Sequence, residues 1–270
     1  MTQKSMTQII IGIKGAGELA SAIAWRLYQA HFSNIFMLEV DKPLAVRRQV
    51  SFCEALYEGF QTVENVSSVK ASGASEIKDA WKRGKIPVVI DPEWQLLTEL
   101  KMDVTVDATL SKRNIATRKN EASLVIGVGP GFCAGEDTHY VIETNRGHHL
   151  GRVITEGPAE PNTGIPGTIG GYTVERVLRA PATGQFVSTK DIGTQVRAGD
   201  TVGHVGNLDV VAQISGVVRG MIRSDSIVSK GLKLGDIDPR GNLDFCDTIS
   251  DKARAISGSV LETILRVYNA

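Results

Sequence analysis

The stretch "GIKGAGELASAIAW" (residues 12–25) decides how the first half of the chain is interpreted. It overlaps the apolar run "QIIIGIKGAG" (8–17), which ends in glycines and is typical of a buried parallel strand. Apolar residues then recur at helical spacing: Leu19, Ala20, Ile23, Ala24 and Leu27. The stretch therefore predicts a strand, a tight turn and a helix that packs on the sheet.

The turn fits the pattern G-x-G-x-x-A at Gly15, Gly17 and Ala20. Gly15 would permit the tight turn, Gly17 would let a pyrophosphate approach the backbone, and Ala20 would allow close helix packing. A second strand, "NIFMLEVDKP" (34–43), contains Glu39, 22 residues after Gly17, where the ribose-binding acid of dinucleotide-binding proteins is expected. Free N–H groups at the helix start would form an anion site.

Alternating strands and helices continue through the first half of the chain. Strands are predicted at 85–91, 103–109 and 122–131, and helical segments at 74–83 and 93–100. This alternation predicts an α/β fold with a Rossmann-like, doubly wound parallel sheet, whose ligand edge is at the carboxyl ends of the strands.

A second glycine-rich loop, "GVGPGF" (127–132), ends the last of these strands. Its backbone N–H groups at Gly129 and Gly131 could bind an anion. A purely structural turn with positive φ values explains the same glycines, so both interpretations stay open.

Composition excludes several classes of function. The 270 residues contain 30 basic and 30 acidic side chains, so no net charge favours nucleic acid or an anionic membrane. No apolar run is long enough to span a bilayer, and "IIIGI" is too short for a signal peptide. Three widely spaced cysteines define neither a disulfide framework nor a metal site. We therefore expect a cytoplasmic protein without a metal site.

No convincing catalytic constellation is present in the sequence. Neither H-E-x-x-H nor G-x-S-x-G occurs, and the adjacent His148 and His149 would point to opposite faces of a strand. Cys133 is the one candidate catalytic residue. It follows the second glycine-rich loop, where nearby N–H groups would acidify a thiol and make it nucleophilic.

The second half contains an internal repeat of 32 residues. When residues 180–205 are shifted by 32 positions, their glycines and apolar residues align with those of residues 212–237. Short strands separated by V-x-x-G turns resemble the biotinyl and lipoyl carrier domains, which are small all-β barrel-sandwich hybrids of the hammerhead type. No lysine occurs between Lys190 and Lys230, so the hairpin between the two halves cannot carry a covalent arm.

These patterns predict three regions. Residues 1–178 form a Rossmann-like nucleotide- or cofactor-binding domain, and residues 179–241 form the barrel-sandwich domain. Residues 242–270 contain an amphipathic C-terminal helix that packs back on the first domain or on a partner subunit. A homodimer is the default oligomeric expectation.

Several strings taken together resemble a known family. They are "KGAGELASAIAWRLYQAHF", "EVDKPLAVRRQVSFCEALYEG", "ATLSKRNIATR", "VIGVGPGFCAGEDTHYVIETNRGHHLGRVI", "GPAEPNTGIPGTIGGY" and "DIDPRG". In this order they resemble the YqeB family of accessory proteins of selenium-dependent molybdenum hydroxylases, over nearly the whole chain. The resemblance implies a maturation role, with a molybdenum hydroxylase apo-enzyme as partner and molybdenum cofactor as ligand.

The phosphate of that pterin cofactor, or its pyrophosphate-linked nucleotide, could bind at the glycine-rich strand ends. Arg113 and Asn114 in "SKRN" (111–114), and Asn145 and Arg146 in "ETNRGH" (143–148), are further candidates for phosphate binding. Cys133 would be suited to handling selenium or sulfur.

Two alternatives remain at this point. An NAD(P)-dependent oxidoreductase would use the same glycine turn for its nicotinamide cofactor. A nucleotide-sensing regulatory module would bind its ligand tightly, change conformation and catalyse no reaction.

Overall fold

The computed structural model describes residues 5–269, which form two compact units. The first unit is discontinuous: it contains the described parts of residues 1–43, 51–162 and 249–270. The second consists of Leu44–Val50 and Thr163–Thr248. The predicted domains, with boundaries at residues 178 and 241, were continuous segments, whereas each of these units combines separate segments of the chain.

The first unit is an α/β unit. Its elements are β1 (Ile10–Lys14), α1 (Glu18–Gln29), β2 (Asn34–Glu39), α2 (Ala55–Glu58), β3 (Phe60–Val63), β4 (Val66–Ala71), α3 (Ala74–Lys82), β5 (Ile86–Ile90), α4 (Gln95–Leu100), β6 (Val104–Asp107), β7 (Leu124–Val128), β8 (Cys133–Ala134), β9 (Tyr140–Ile142), β10 (Val153–Ile154), β11 (Gly157–Pro158) and α6 (Asp251–Tyr268). Short 3₁₀ helices occupy Met6–Gln8 and Phe52–Glu54.

Nine strands form one sheet in the order β10-β9-β7-β6-β1-β2-β5-β4-β3. The seven strands from β9 to β4 are parallel, whereas β10 and β3 are antiparallel to their neighbours at the two edges. Fully buried residues such as Ile11 and Ile13 explain why β1 lies in the middle of this sheet. The amphipathic helix α6 packs against α1 through Ala253, Ile256 and Val260 on its buried side.

The second unit consists largely of antiparallel strands. Its elements are β12 (Val177–Arg179), β13 (Gly184–Ser188), β14 (Gln195–Val196), β15 (Thr201–Val205), β16 (Leu208–Val211), β17 (Gly216–Met221), β18 (Ser226–Val228), β19 (Lys233–Asp238) and α5 (Asp244–Asp247). The strands form two four-stranded sheets, β12-β19-β17-β14 and β16-β15-β13-β18. A shift of 32 residues places each strand of the first sheet on its counterpart in the second, so the sequence repeat corresponds to a repeat of sheet order.

The structure overturns the predicted fold class. The large sheet is mixed, so a Rossmann-like parallel sheet was the wrong description, and no clear biotinyl/lipoyl-like barrel-sandwich domain is formed. The two antiparallel sheets belong to a larger unit that also includes Leu44–Val50, where the Arg47 guanidinium donates to the carbonyls of Phe245 and Thr248. Hydrophobic periodicity identifies buried strands, but it reports neither the direction of edge strands nor how sheets pack.

A buried ion cluster lies at the end of β19. Asp236 is inaccessible to solvent and forms ion pairs with Arg176 and Arg219. Asp238 accepts hydrogen bonds from Nε and Nη2 of Arg240 at 2.9 and 2.7 Å. Burial alone would raise the pKa of Asp238, but the bonds from Arg240 and the charge of Arg219 lower it below its usual value. The motif "DIDPRG" therefore stabilises the second unit.

Candidate functional site

The candidate site is at the carboxyl ends of the central parallel strands of the first unit. After β1 the chain adds β2 and β5 on one side of it, and then adds β6 and β7 on the other. At such a reversal of strand order, loops leave neighbouring strands in opposite directions and open a crevice in which α/β sheets bind ligands. The turn after β1 and the loops after β2, β6 and β7 lie at this edge of the sheet.

The turn between β1 and α1 has the backbone that its glycines predict. Gly15 has φ +92°, and a Cβ there would lie 3.1 Å from the carbonyl oxygen of Ala108, so both conformation and space favour glycine. Gly17 is the N-cap of α1 with φ −73°, and a Cβ there would meet nothing within 4 Å. The space above Gly17 is open. Ala20 is buried on the first turn of α1, in accord with close packing.

The start of α1 offers hydrogen-bond donors. The first N–H groups of an α-helix have no partner within the helix. Among residues 5–269, no group accepts a hydrogen bond from the backbone N–H of Gly17, Leu19 or Ala20. These donors and the helix dipole favour a negative charge at this point.

Glu39, at the end of β2, contacts the same turn. Its Oε2 accepts a hydrogen bond from the Ala16 N–H at 2.8 Å, and its Oε1 accepts one from the Val40 N–H at 2.9 Å. Burial raises the pKa of Glu39, against the lowering effect of these two bonds. The carboxylate therefore occupies one donor of the turn and leaves those at the start of α1 available.

The second glycine-rich loop contacts the loop after β6. Gly129 and Gly131 have φ values of +87° and +110°. A Cβ on Gly131 would lie 2.6 Å from backbone atoms of Arg113, so the two segments pass each other closely. Within the described part of the chain, the exposed Arg113 guanidinium forms no hydrogen bond or ion pair. The backbone of Arg113 thus lies beside this loop, and its cationic side chain is exposed.

Three other predicted phosphate ligands are already bonded within the protein. The Asn114 side chain exchanges hydrogen bonds with the backbone of Thr117 in both directions, at 2.8 Å each, and so closes a turn. Asn145 Nδ2 donates to Glu160 Oε2 at 2.6 Å. Arg146 forms a bidentate pair with Asp251 at 2.8 and 2.9 Å. Sequence spacing did not reveal these partners.

The surroundings of Cys133 oppose thiolate formation. Its side chain is half-buried, and this partial burial raises the pKa of the thiol, which the nearby carboxylates of Glu136 and Asp137 raise further. The prediction for Cys133 required the reverse, an acidified thiol.

Sequence reasoning missed a buried lysine network next to the glycine turn. Lys14, the last residue of β1, is inaccessible to solvent, and its Nζ donates to Thr117 Oγ1 at 2.7 Å and to Glu121 Oε1 at 2.9 Å. Thr117 Oγ1 in turn donates to Asp107 Oδ2 at 2.6 Å. A lysine that ends an otherwise apolar strand, "IIIGIK", was the signal that could have revealed it.

Two further features are absent from residues 5–269. No group of three or more His, Cys, Asp and Glu side chains is arranged to hold a metal ion there. No helix in the same range has the length and apolar character needed to cross a membrane.

The first unit is thus of the α/β class, with a glycine-rich turn at the reversal of strand order. The chain is 47% identical to the uncharacterized protein YqeB of Escherichia coli (strain K12). The alignment extends over 260 residues, which are 96% of this chain. This identity over most of the chain supports the resemblance to the YqeB family. The chain spans about half the length of that relative, 48%. No protein-family model matches the chain.

Solved structures show only distant likeness. The alignment with an aspartoacylase family protein from Mesorhizobium loti covers 85% of this chain and 84% of that protein's chain. The two are 14% identical, and the TM-score is 0.28. The alignment with the product-bound ectoine utilization protein EutE (DoeB) from Ruegeria pomeroyi covers 84% of this chain and 56% of that protein's chain. The two are 9% identical, and the TM-score is 0.23. At such TM-scores, neither the fold nor the function of this chain follows from the likeness.

Proposed function

We propose that this chain is an accessory factor in the maturation of a selenium-dependent molybdenum hydroxylase, and that it binds a phosphate-bearing, nucleotide-type ligand for that enzyme. One observation carries the ligand-binding part of the proposal. The start of α1 presents three N–H groups with no acceptor among the described residues, below an open space at Gly17. The maturation part rests on the resemblance to the YqeB family, because the matched relative is itself an uncharacterized protein.

Molybdenum cofactor fits this site in part. Its phosphate, or the pyrophosphate of its nucleotide form, would bind at the start of α1, with Arg113 as a further cation. The Glu39 carboxylate would accept hydrogen bonds from ribose hydroxyls, if the ligand is a nucleotide. Asn145 and Arg146 stay predicted ligands, but a phosphate there would have to displace the carboxylates of Glu160 and Asp251, which bind their polar atoms.

We expect the Gly17→Asp variant to bind the ligand at least about tenfold more weakly, a loss of roughly 1.4 kcal/mol. Aspartate is a favourable N-cap, so the variant should fold, but its carboxylate would accept from the free N–H groups and repel a phosphate. Calorimetric titration with molybdenum cofactor, AMP, NAD(H) and NADP(H) measures the effect.

Gly73→Asp is a matched control. Gly73 is also the N-cap glycine of a helix, α3, it has extended backbone with φ 167°, and a Cβ there would meet nothing within 4 Å. The control should bind like the wild type. Equal weakening by both substitutions would contradict a site at Gly17, and binding of NADPH alone would favour an NAD(P)-dependent oxidoreductase. Tight nucleotide binding with a conformational change, but with no effect on a hydroxylase, would favour a sensing module.

Deleting the gene should abolish the activity of the partner molybdenum hydroxylase while its polypeptide still accumulates. A maturation factor acts after synthesis, so only the active, cofactor-loaded form should be lost. Hydroxylase activity and immunoblots of the deletion strain, complemented with wild type, Gly17→Asp or Gly73→Asp, measure this. Normal hydroxylase activity in the deletion strain would refute the maturation role.

A further inference from the structure

The network around Lys14 joins two segments that lie far apart in the sequence. Lys14 and Thr117 are separated by 103 positions, and their side chains are both buried. Lys14 is paired in register with Asp107 on the neighbouring strand β6. The Thr117 hydroxyl bridges these two residues, since it accepts from the Lys14 ammonium and donates to the Asp107 carboxylate.

Each group in this network has its own bonding role. The second Asp107 oxygen accepts from the backbone N–H and the hydroxyl of Thr109 at 3.1 and 2.7 Å. Glu121 supplies a carboxylate to Lys14, and its Oε1 also accepts from the Arg118 N–H at 3.1 Å. The single hydroxyl of Thr117 therefore connects the lysine to the aspartate, and a side chain without a hydroxyl would break that connection.

The segment that the network closes, residues 108–116, contacts both glycine turns. Its first residue, Ala108, lies against Gly15, where a Cβ would come within 3.1 Å of its carbonyl oxygen. Its Arg113 backbone lies against Gly131, where a Cβ would come within 2.6 Å. Asn114 closes the end of the segment by bonding to the backbone of Thr117. The position of Arg113 therefore depends on the anchoring of Thr117.

We propose that Lys14 and Thr117 are positioning residues of the ligand site. The buried Lys14–Thr117–Asp107 link holds the 108–116 segment between the two glycine turns, so that Arg113 contributes to binding the phosphate of a nucleotide-type ligand. This inference rests on the proposed function, because it names how the same site recognises its phosphate.

The test is a double-mutant cycle with AMP as the probe, measured by calorimetry on the full chain. Thr117→Val removes the hydroxyl and keeps the shape, and Arg113→Ala removes the cation. Each should weaken AMP binding by about fivefold or more, and the double variant should bind no more weakly than the worse single variant. Thr117→Ser, which retains the hydroxyl, should restore the affinity.

Lys119→Met is the control, because Lys119 is an exposed lysine nearby whose Nζ donates to the Gly135 carbonyl. It should leave AMP affinity unchanged.

Additive losses of AMP affinity in the double variant, or a folded Thr117→Val variant with wild-type affinity, would overturn this inference and leave the proposed ligand site unaffected. If Thr117→Val does not fold, Thr117→Ala, which also removes the hydroxyl, replaces it in the cycle with the same expected non-additivity. A wild-type protein that binds none of the nucleotides or molybdenum cofactor would overturn the proposed function, and this inference with it.

Discussion

Asp236→Ala should destabilise the protein by about 3–5 kcal/mol, the typical cost of removing one partner of a buried ion pair. Asp236 is fully buried and pairs with both Arg176 and Arg219. Its removal leaves two largely buried guanidinium groups without their shared carboxylate. Chemical denaturation, followed by circular dichroism, measures the change in the free energy of unfolding.

The internal repeat provides a control for this substitution. His204 occupies the position 32 residues before Asp236, on the equivalent strand of the other sheet, and its hydrogen bond with Asp209 is exposed. His204→Ala should cost no more than about 1 kcal/mol, because exposed polar contacts contribute little to stability. Similar losses for the two variants would contradict the conclusion that burial makes the Asp236 cluster important.

The local order of the first elements could be predicted from the sequence. The apolar run, the glycine turn and the helical spacing led to β1 and α1, and the spacing of Glu39 led to its place beside the turn. These features depend on residues that are close along the chain. Periodicity and turn chemistry report such short-range relations directly.

Longer-range bonds could not be predicted. The sequence suggested Arg146 as a phosphate ligand but gave no sign of its ion pair with Asp251, 105 positions away. The Lys14 network spans a similar distance and was missed altogether. A charged side chain shows its chemistry in the sequence, but the partner that neutralises it is set by packing.

The second unit shows the same limit at the level of whole sheets. The 32-residue repeat correctly indicated equivalent strands, but it did not reveal that Leu44–Val50 belongs to the same unit. In that segment Val46 lies so close to Gly220 that a Cβ on the glycine would come within 2.7 Å of its carbonyl oxygen. A repeat reports the spacing of its own strands and turns, and that spacing does not depend on a segment that ends about 130 residues before the repeat begins.

Gly131→Ala should cost about 2–5 kcal/mol, the sum of backbone strain at positive φ and of overpacking. Gly131 has φ +110°, and its new Cβ would lie 2.6 Å from Arg113 backbone atoms, which cannot rotate away as a flexible side chain could. The 108–116 segment would have to move, so AMP affinity should fall together with stability. Denaturation and calorimetry of the same variant measure both effects.

Gly135→Ala separates strain from contact. Gly135 has φ +93°, close to that of Gly131, but a Cβ there would meet nothing within 4 Å. This control should cost only the backbone strain, about 1–2 kcal/mol, and should leave AMP affinity unchanged. Equal losses of stability would show that positive φ alone explains Gly131. A larger loss for Gly131→Ala with unchanged AMP binding would mean that the contact with Arg113 stabilises the fold and has no part in the ligand site.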